Sequence, residues 1–320
     1  MLTFYESAAA SVQARRRIQE HIYQTPLIPA RETGKKHGAR VLFKAENFQL
    51  TGSFKIRGAM SKMSIHEGQG PLITASSGNH GIGAALASQT LSRKLTVVLP
   101  ETVMPNKLER IKSYGVDVVL HGAETGLAEK HAQQLASSGG YTYVSPYNDP
   151  DIIAGQGTIG LEILEQCKDV DNIFISMGGG GLISGVGSVL KAFNPRVKIY
   201  GVSAINSKAL AASIAAGRVV ETEHLPTLAE AVSGGMDEDA VTLPLATSVI
   251  DELVECSEDE IAGSLRELAV DENMFVEGAA ALALAGFNKA AQKLSGQTSI
   301  ILLCGGNISQ DLMKQIIGGL

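Results

Sequence analysis

An α/β fold of twisted, parallel-rich sheets with helices on both faces is the architecture this chain predicts, and three observations carry it. Short apolar runs alternate with helix-period stretches along most of its length, the order that sets parallel strands side by side with helices crossing over them. Hydrophobic residues make up 44% but aromatics only 5%, so the core must be built from Ala, Val, Ile and Leu, as in strands buried on both faces. Glycine numbers 35 residues and concentrates directly after strands, where open α/β sheets place ligands.

Taken in order, Ser7 to Ile22 reads as a helix ended by the extended Thr25-Pro26-Leu27. Arg40 to Glu46 is the first clear strand and leads into Thr51-Gly52-Ser53-Phe54-Lys55-Ile56-Arg57-Gly58-Ala59. Ser53 is the expected N-cap, and Ile56, Ala59, Met60 and Met63 give the recurrence of an amphipathic helix. Gly68-Gln69-Gly70-Pro71 reads as a turn where the chain crosses between units. Four strands follow, Leu72–Ala75, Leu95–Leu99, Val116–Leu120 and Tyr141–Val144, with helices over Asn79–Leu91, Pro105–Gly115 and Leu127–Leu135 between them. That is the pattern of a small parallel sheet.

Beyond it come a helix over Ile152–Gln166, a strand at Asn172–Met177 and a helix opened by Gly178–Gly181. A strand at Lys198–Val202 precedes helices over Lys208–Ala216 and Thr227–Val232. The strand Glu252–Cys256 meets an N-cap at Ser257, with Glu260 in the capping-box position. A helix over Gly278–Gln292 and a strand at Ser299–Leu303 complete the series. At 320 residues two units are expected: a large one from 1–64 and 148–320, and a small mobile one from 65–147.

A net charge of −6 gives no electrostatic footprint for nucleic acid. The cysteines Cys167, Cys256 and Cys304 have neither C-x-x-C nor zinc spacing and read as reduced thiols of a cytoplasmic protein. The N-terminal stretch lacks the apolar region of a signal peptide, and no run approaches the roughly 20 apolar residues of a membrane span.

Four places carry chemistry. Lys55 falls in a first helical turn, where orphan N–H groups disfavour a cation, so it is either solvated or held neutral. Gly178-Gly179-Gly180-Gly181, between strand and helix, lets consecutive amides converge on an anion with the helix dipole behind them. Ser76-Ser77-Gly78-Asn79-His80-Gly81 is a second cradle, sized for a carboxylate; its alternative is plain N-capping by Ser77 or Asn79. His80 itself reads as a buried, hydrogen-bonded histidine rather than a base. Cys304, before Gly305-Gly306-Asn307, is either a small core residue or a group facing the crevice, and Glu277 is either a cap or a ring-facing acid. A phosphate cradle, a carboxylate cradle and a lysine poised for an aldehyde together describe a pyridoxal-phosphate site.

These motifs resemble the serine/threonine dehydratase family of the pyridoxal-phosphate enzymes, fold type II (tryptophan synthase β-like), which includes serine racemase and threo-3-hydroxyaspartate dehydratase. The likeness spans nearly the whole chain: Ser-Phe-Lys-Ile-Arg-Gly-Ala at 53–59, Ser-Ser-Gly-Asn-His-Gly at 76–81, Ala-Gly-Gln-Gly-Thr at 154–158, Gly-Gly-Gly-Gly-Leu at 178–182 and Gly-Gly-Asn at 305–307. Cysteine and threonine synthases carry Asp-Arg after the lysine, where this chain has Ile56-Arg57.

By that resemblance Lys55 is the catalytic residue joined to the cofactor, Phe54 packs on its ring and Asn79 bonds the ring oxygen. Gly178, Gly179, Gly180, Gly181 and Leu182 hold the phosphate, and Glu277 and Cys304 lie at the ring, with Cys304 facing its nitrogen. Ser76, Ser77, His80 (through its amide) and Asn148 bind the substrate carboxylate. The implied reaction is α,β-elimination of a 3-hydroxy amino acid such as L-threonine or L-serine to an α-keto acid and ammonium. Racemisation using Ser77 on the opposite ring face, or dehydration of hydroxyaspartate, is the alternative. A non-catalytic nucleotide-binding module is a more remote one, which leaves Lys55 unexplained. The resemblance also implies a homodimer.

Two departures stand out. The family glutamate that binds a divalent cation is absent from Val202-Ser203-Ala204, so no metal is expected. The family's Asp-Gly reads Glu230-Ala231 here, altering a pocket wall. Ending at Leu320, the chain is expected to lack a C-terminal regulatory domain.

Overall fold

The computed structural model describes residues 2–65 and 70–318. Helix α1 (Phe4–Ile18) is followed by β1 (Leu27–Pro29), β2 (Arg40–Ala45) and the lysine helix α2 (Lys55–Ile65). Alternation then runs β3 (Leu72–Ala75), α3 (Asn79–Thr90), β4 (Leu95–Leu99), α4 (Pro105–Lys112), β5 (Asp117–Leu120), α5 (Thr125–Ser137) and β6 (Thr142–Tyr143). After these come α6 (Pro150–Gln166), β7 (Asn172–Ser176), α7 (Gly181–Phe193), β8 (Lys198–Ala204), α8 (Ala209–Ala216) and α9 (Thr242–Val249). The chain continues through β9 (Glu252–Cys256), α10 (Glu258–Val270), α11 (Gly278–Ala290), β10 (Thr298–Leu303) and α12 (Gln310–Gly318).

The strands form a six-stranded sheet, β1-β2-β10-β7-β8-β9, and a four-stranded sheet, β5-β4-β3-β6. Every pairing is parallel except β1 against β2. The smaller sheet draws only on residues 72–143, and the larger one on the chain to either side. As composition implies, the core is aliphatic; Phe174 stacks on Tyr200 at 4.3 Å and meets Phe287 edge-on at 5.6 Å.

Helix α2 owes its position to small neighbours. A Cβ at Gly83 of α3 would lie 2.9 Å from the Ile56 nitrogen, and one at Gly155 of α6 would lie 2.4 Å from the Arg57 carbonyl oxygen. Only glycine permits backbones to approach that closely. Beneath α2, Arg57 is fully buried and donates to both Glu46 oxygens at 2.8 Å each and to Glu162 at 2.6 and 3.0 Å. Lys44, also fully buried, reaches Glu162 at 2.6 Å and the Thr25 carbonyl at 2.8 Å. Two cations face two carboxylates, so the buried cluster is neutral and its polar atoms are satisfied, the condition for burying charge without a large penalty.

Several expectations need correction. Helix α1 begins at Phe4, three residues before the expected start, because Thr3 and Glu6 form a capping box. The expected helix over Thr227–Val232 is only a 3-10 turn at Glu230–Val232. Helices α9 and α12 were not anticipated: α9 contains Pro244, which is tolerated because it lies in the first turn. The capping box at Ser257 and Glu260 is present. Gly68 and Gln69 of the expected crossing turn lie outside the described residues.

Candidate active site

Lys55 is the first residue of α2, and the turn before it is knitted to the end of β10. The Phe54 amide donates to the Cys304 carbonyl at 3.1 Å, the Gly306 amide to the Gly52 carbonyl at 2.8 Å, and Ser53 pairs with Gly305 as an isolated bridge. This brings Lys55 and Cys304, distant in sequence, next to each other. Ser53 is not the expected cap: its buried hydroxyl has no hydrogen-bond partner among the described residues. The Lys55 ammonium donates to the Pro146 carbonyl at 2.8 Å and lies 5.3 Å from the Phe54 ring centroid. Burial pushes its pKa down to about 8, the opposing pull of Cys304, Glu277 and Glu129 being weaker.

Gly178–Gly181 leads from β7 into α7. Gly180 adopts φ 91°, and no side chain caps the helix. Tyr147 lies over this loop, so that a Cβ at Gly179 would come 2.5 Å from its ring; Thr242 Oγ1 donates to the Gly179 carbonyl at 2.6 Å. Leu182 is buried in the first turn of α7. Pro146 and Tyr147, adjacent in the chain, therefore bridge Lys55 to the glycine loop.

The second cradle opens α3. Gly78 is its N-cap with no side-chain capping bond, so the plain capping alternative for Ser77 or Asn79 is not realised. Ser76 and Ser77 are half-buried at the end of β3. Asn79 Nδ2 donates to both Glu277 oxygens, at 2.9 and 3.0 Å. Glu277 precedes α11, and burial holds its pKa above the usual carboxylate range against the hydrogen bond from Asn79. Cys304 Sγ is 4.0 Å from Glu277 Oε1, and burial raises its thiol well above the ordinary value. Cys304 is thus a core residue in contact with Glu277.

His80 has the structural environment expected of it. Its Nε2 lies 3.0 Å from the Val144 carbonyl and 2.9 Å from Thr74 Oγ1, and burial drives its pKa down to about 3, so the ring is neutral. Asn148 is pinned at both ends of its amide: Nδ2 donates to Asp237 at 3.1 Å and Asp239 at 3.2 Å, and Oδ1 accepts from the Val241 amide at 2.9 Å. Beside it a cavity of about 360 Å³ is lined by Tyr143, Asp237, Glu238 and Asp239 among others.

The residues present fit an aldehyde with an anionic tail: a lysine whose amine is easily deprotonated, one residue pair from a helix N-terminus fronted by glycines where any larger residue would strike Tyr147. Sequence reasoning missed Tyr147, Thr242 and the Pro146 carbonyl, which lie in loops without periodic signal. Among the described residues no group of three or more His, Cys, Asp or Glu side chains is placed to hold a metal ion, and no helix is long and apolar enough to cross a membrane.

The sequence profile described as "Pyridoxal-phosphate dependent enzyme" matches residues 18–305. An L-threonine ammonia-lyase of Thermotoga maritima is 37% identical over 309 residues, covering 95% of this chain and 76% of the relative. The processed form of threonine deaminase isoform 2 from Solanum lycopersicum superposes with a TM-score of 0.92 at 30% identity, covering 98% of this chain and 92% of that one. Maize serine racemase superposes with a TM-score of 0.89 at 27% identity, covering 98% and 97%.

Proposed function

The chain belongs to the pyridoxal-phosphate-dependent enzymes, in the serine/threonine dehydratase family, and on that premise we propose that it is an ammonia-lyase converting L-threonine or L-serine to an α-keto acid and ammonium. The observation that carries the reading is Lys55, a half-buried lysine with its pKa near 8, joined through Pro146 and Tyr147 to the glycine loop.

In this reading Lys55 holds the cofactor aldehyde, and the amides of Gly178, Gly179, Gly180, Gly181 and Leu182 hold its phosphate. Phe54 would pack on the ring, Asn79 would serve the ring oxygen, Cys304 would face the ring nitrogen, and Glu277 would lie at the ring beside Asn79. Pyridoxal phosphate supplies an electron sink conjugated to the substrate nitrogen. Ser76, Ser77 and the first amides of α3, His80 included, would bind the substrate carboxylate, supported by the positive helix end; Asn148, expected to join them, has its amide engaged by Asp237, Asp239 and the Val241 amide instead. Lys55, once displaced, takes the Cα proton; its lowered pKa keeps a usable fraction of free amine near neutrality. The β-hydroxyl would leave as water with a proton returned by the Lys55 ammonium, and addition of one water to the released unsaturated amine would give keto acid and ammonium. Cys304 remains a neutral thiol and leaves the ring nitrogen without a formal acid.

Residues 65–147, which contain the four-stranded sheet, act as a small mobile domain closing over substrate; structures with and without a substrate analogue test this. The enzyme works as a cytoplasmic homodimer, which light scattering of the purified protein checks. Ser77 and the likeness to maize serine racemase favour a second reading, racemisation. Keto-acid release from serine and threonine, measured beside chiral chromatography of the remaining substrate, separates the two. Absence of turnover for either amino acid, or a preparation without a visible cofactor band, defeats the lyase reading.

A further inference from the structure

Asn307 and Arg110 have no role in the reading above, yet hydrogen bonds tie both to Asn79. Arg110, at the exposed face of α4, donates through both terminal nitrogens to Asn307 Oδ1, at 3.2 Å each. Asn307 Nδ2 donates in turn to the Thr51 carbonyl at 2.9 Å and to Asn79 Oδ1 at 2.6 Å. Asn79 Nδ2 completes the series on Glu277.

The polarity of this chain of amides follows from its ends. A guanidinium has only donors, and a backbone carbonyl only accepts. The end of Asn307 facing Arg110 must therefore be oxygen, and the end facing Thr51 must be nitrogen. That nitrogen also meets Asn79, whose facing end must be oxygen. Asn79 is left with its two N–H groups turned into the pocket, toward Glu277. Turned over, Asn79 would present an acceptor there, and an acceptor repels both the Glu277 carboxylate and an anionic ring oxygen.

We propose that Asn307 is a positioning residue that fixes Asn79 as a donor toward the cofactor's ring oxygen, with Arg110 of the four-stranded-sheet unit locking Asn307 in turn. The inference rests on the pyridoxal-phosphate reading of the site. It also ties the cofactor pocket to α4: separating α4 from the loop after β10 removes the lock, so cofactor electronics respond to the position of that unit. The same Asn307 nitrogen bonds the turn before Lys55, which joins the lysine, Asn79 and α4 at one side chain.

The test compares the parent with Asn307→Asp, Asn307→Ala, Arg110→Met and Arg110→Lys. Each is stripped of cofactor, titrated with pyridoxal phosphate for its Kd, and then examined as holoenzyme for its visible absorption band and for kcat and KM. Asn307→Asp sets an acceptor against Asn79 Oδ1 and forces it to turn over. The expected result is a Kd at least about tenfold weaker, a displaced visible band, and a loss in kcat rather than KM. Asn307→Ala and Arg110→Met shift the band in the same direction by less, and Arg110→Lys, which keeps a donor, restores the parent band. A change of thermal midpoint alone, with band and Kd of Asn307→Ala and Arg110→Met within about twofold of the parent, overturns the proposal. Should Asn307→Asp fail to fold, the surface variant Arg110→Met decides with Asn307→Ala. A parent that takes up no pyridoxal phosphate overturns the reading of the site and the relay with it. A parent that does, with unaltered variants, overturns the relay alone.

Discussion

Lys55 and Arg57 stand two residues apart at the start of one helix, both in surroundings that penalise charge, and their acid–base properties move in opposite directions. Burial lowers the pKa of Lys55 to about 8. Burial also works against charge on Arg57, but Glu46 and Glu162 outweigh it and raise its pKa. Arg57 has two carboxylates within hydrogen-bonding distance, whereas the hydrogen bond from Lys55 goes to a carbonyl, that of Pro146. A buried cation is thus stable or labile according to whether an anion touches it. The ionic cluster anchors α2, and the lysine on top of it is left reactive.

Removing the reactive member breaks the comparison most completely. Lys55→Met abolishes keto-acid release, yet the cofactor-free protein becomes more stable in urea by about 1–3 kcal/mol at pH 7. The sign follows from the folded pKa of about 8 lying below the ordinary 10.5. Below pH 8 both states of the parent carry the proton, and the full penalty of burying it is present. Between about 8 and 10.5 the unfolded chain binds more protons, so parent stability rises with pH and the gain from Lys55→Met fades.

Removing the anchored member has the reverse consequence. Arg57→Met leaves the buried Glu46 without its cation and Glu162 with Lys44 alone, and lowers stability by about 3–5 kcal/mol, read from urea midpoints of the cofactor-free protein. A loss below about 1 kcal/mol would mean that the cluster relaxes into water. The pH dependence sharpens the contrast further: capture of pyridoxal phosphate by the cofactor-free protein slows about tenfold per unit below pH 8, as free amine becomes scarce, and levels off above it. Stopped-flow absorbance across pH 6 to 10 checks this. The smallest effect concerns substrate choice. Carboxylates of Asp237, Glu238 and Asp239 line the cavity beside Asn148, so a substrate with a second carboxylate meets like charge. 3-Hydroxyaspartate should show kcat/KM at least about tenfold below that of threonine, some 1.4 kcal/mol.

Much of this architecture is legible before folding. Strands β3, β4 and β9 coincide with their sequence readings, β3 and β4 because mostly aliphatic runs bounded by turn residues leave little choice of period. The helix expected near Thr227 fails because that segment lacks a sustained apolar stripe, and α9 escaped notice because Pro244 reads as a breaker unless its place in the first turn is known. The glycine loop, Lys55, Asn79 and Cys304 were recognisable by type and spacing. The alternatives left open for Asn79 and Cys304 were not decidable, since they turned on contacts with Asn307 and Glu277.

Apolar runs and turn residues in the sequence set most of the strands and place Lys55 in the first turn of α2. Those properties depend on neighbours a few residues away. Which cation of that helix keeps its charge depends on the packed fold, because the carboxylates responsible, Glu46 and Glu162, arrive from β2's end and from α6. Local pattern fixes what a segment can become; the dielectric and the partners around a side chain exist only once distant segments have packed against it.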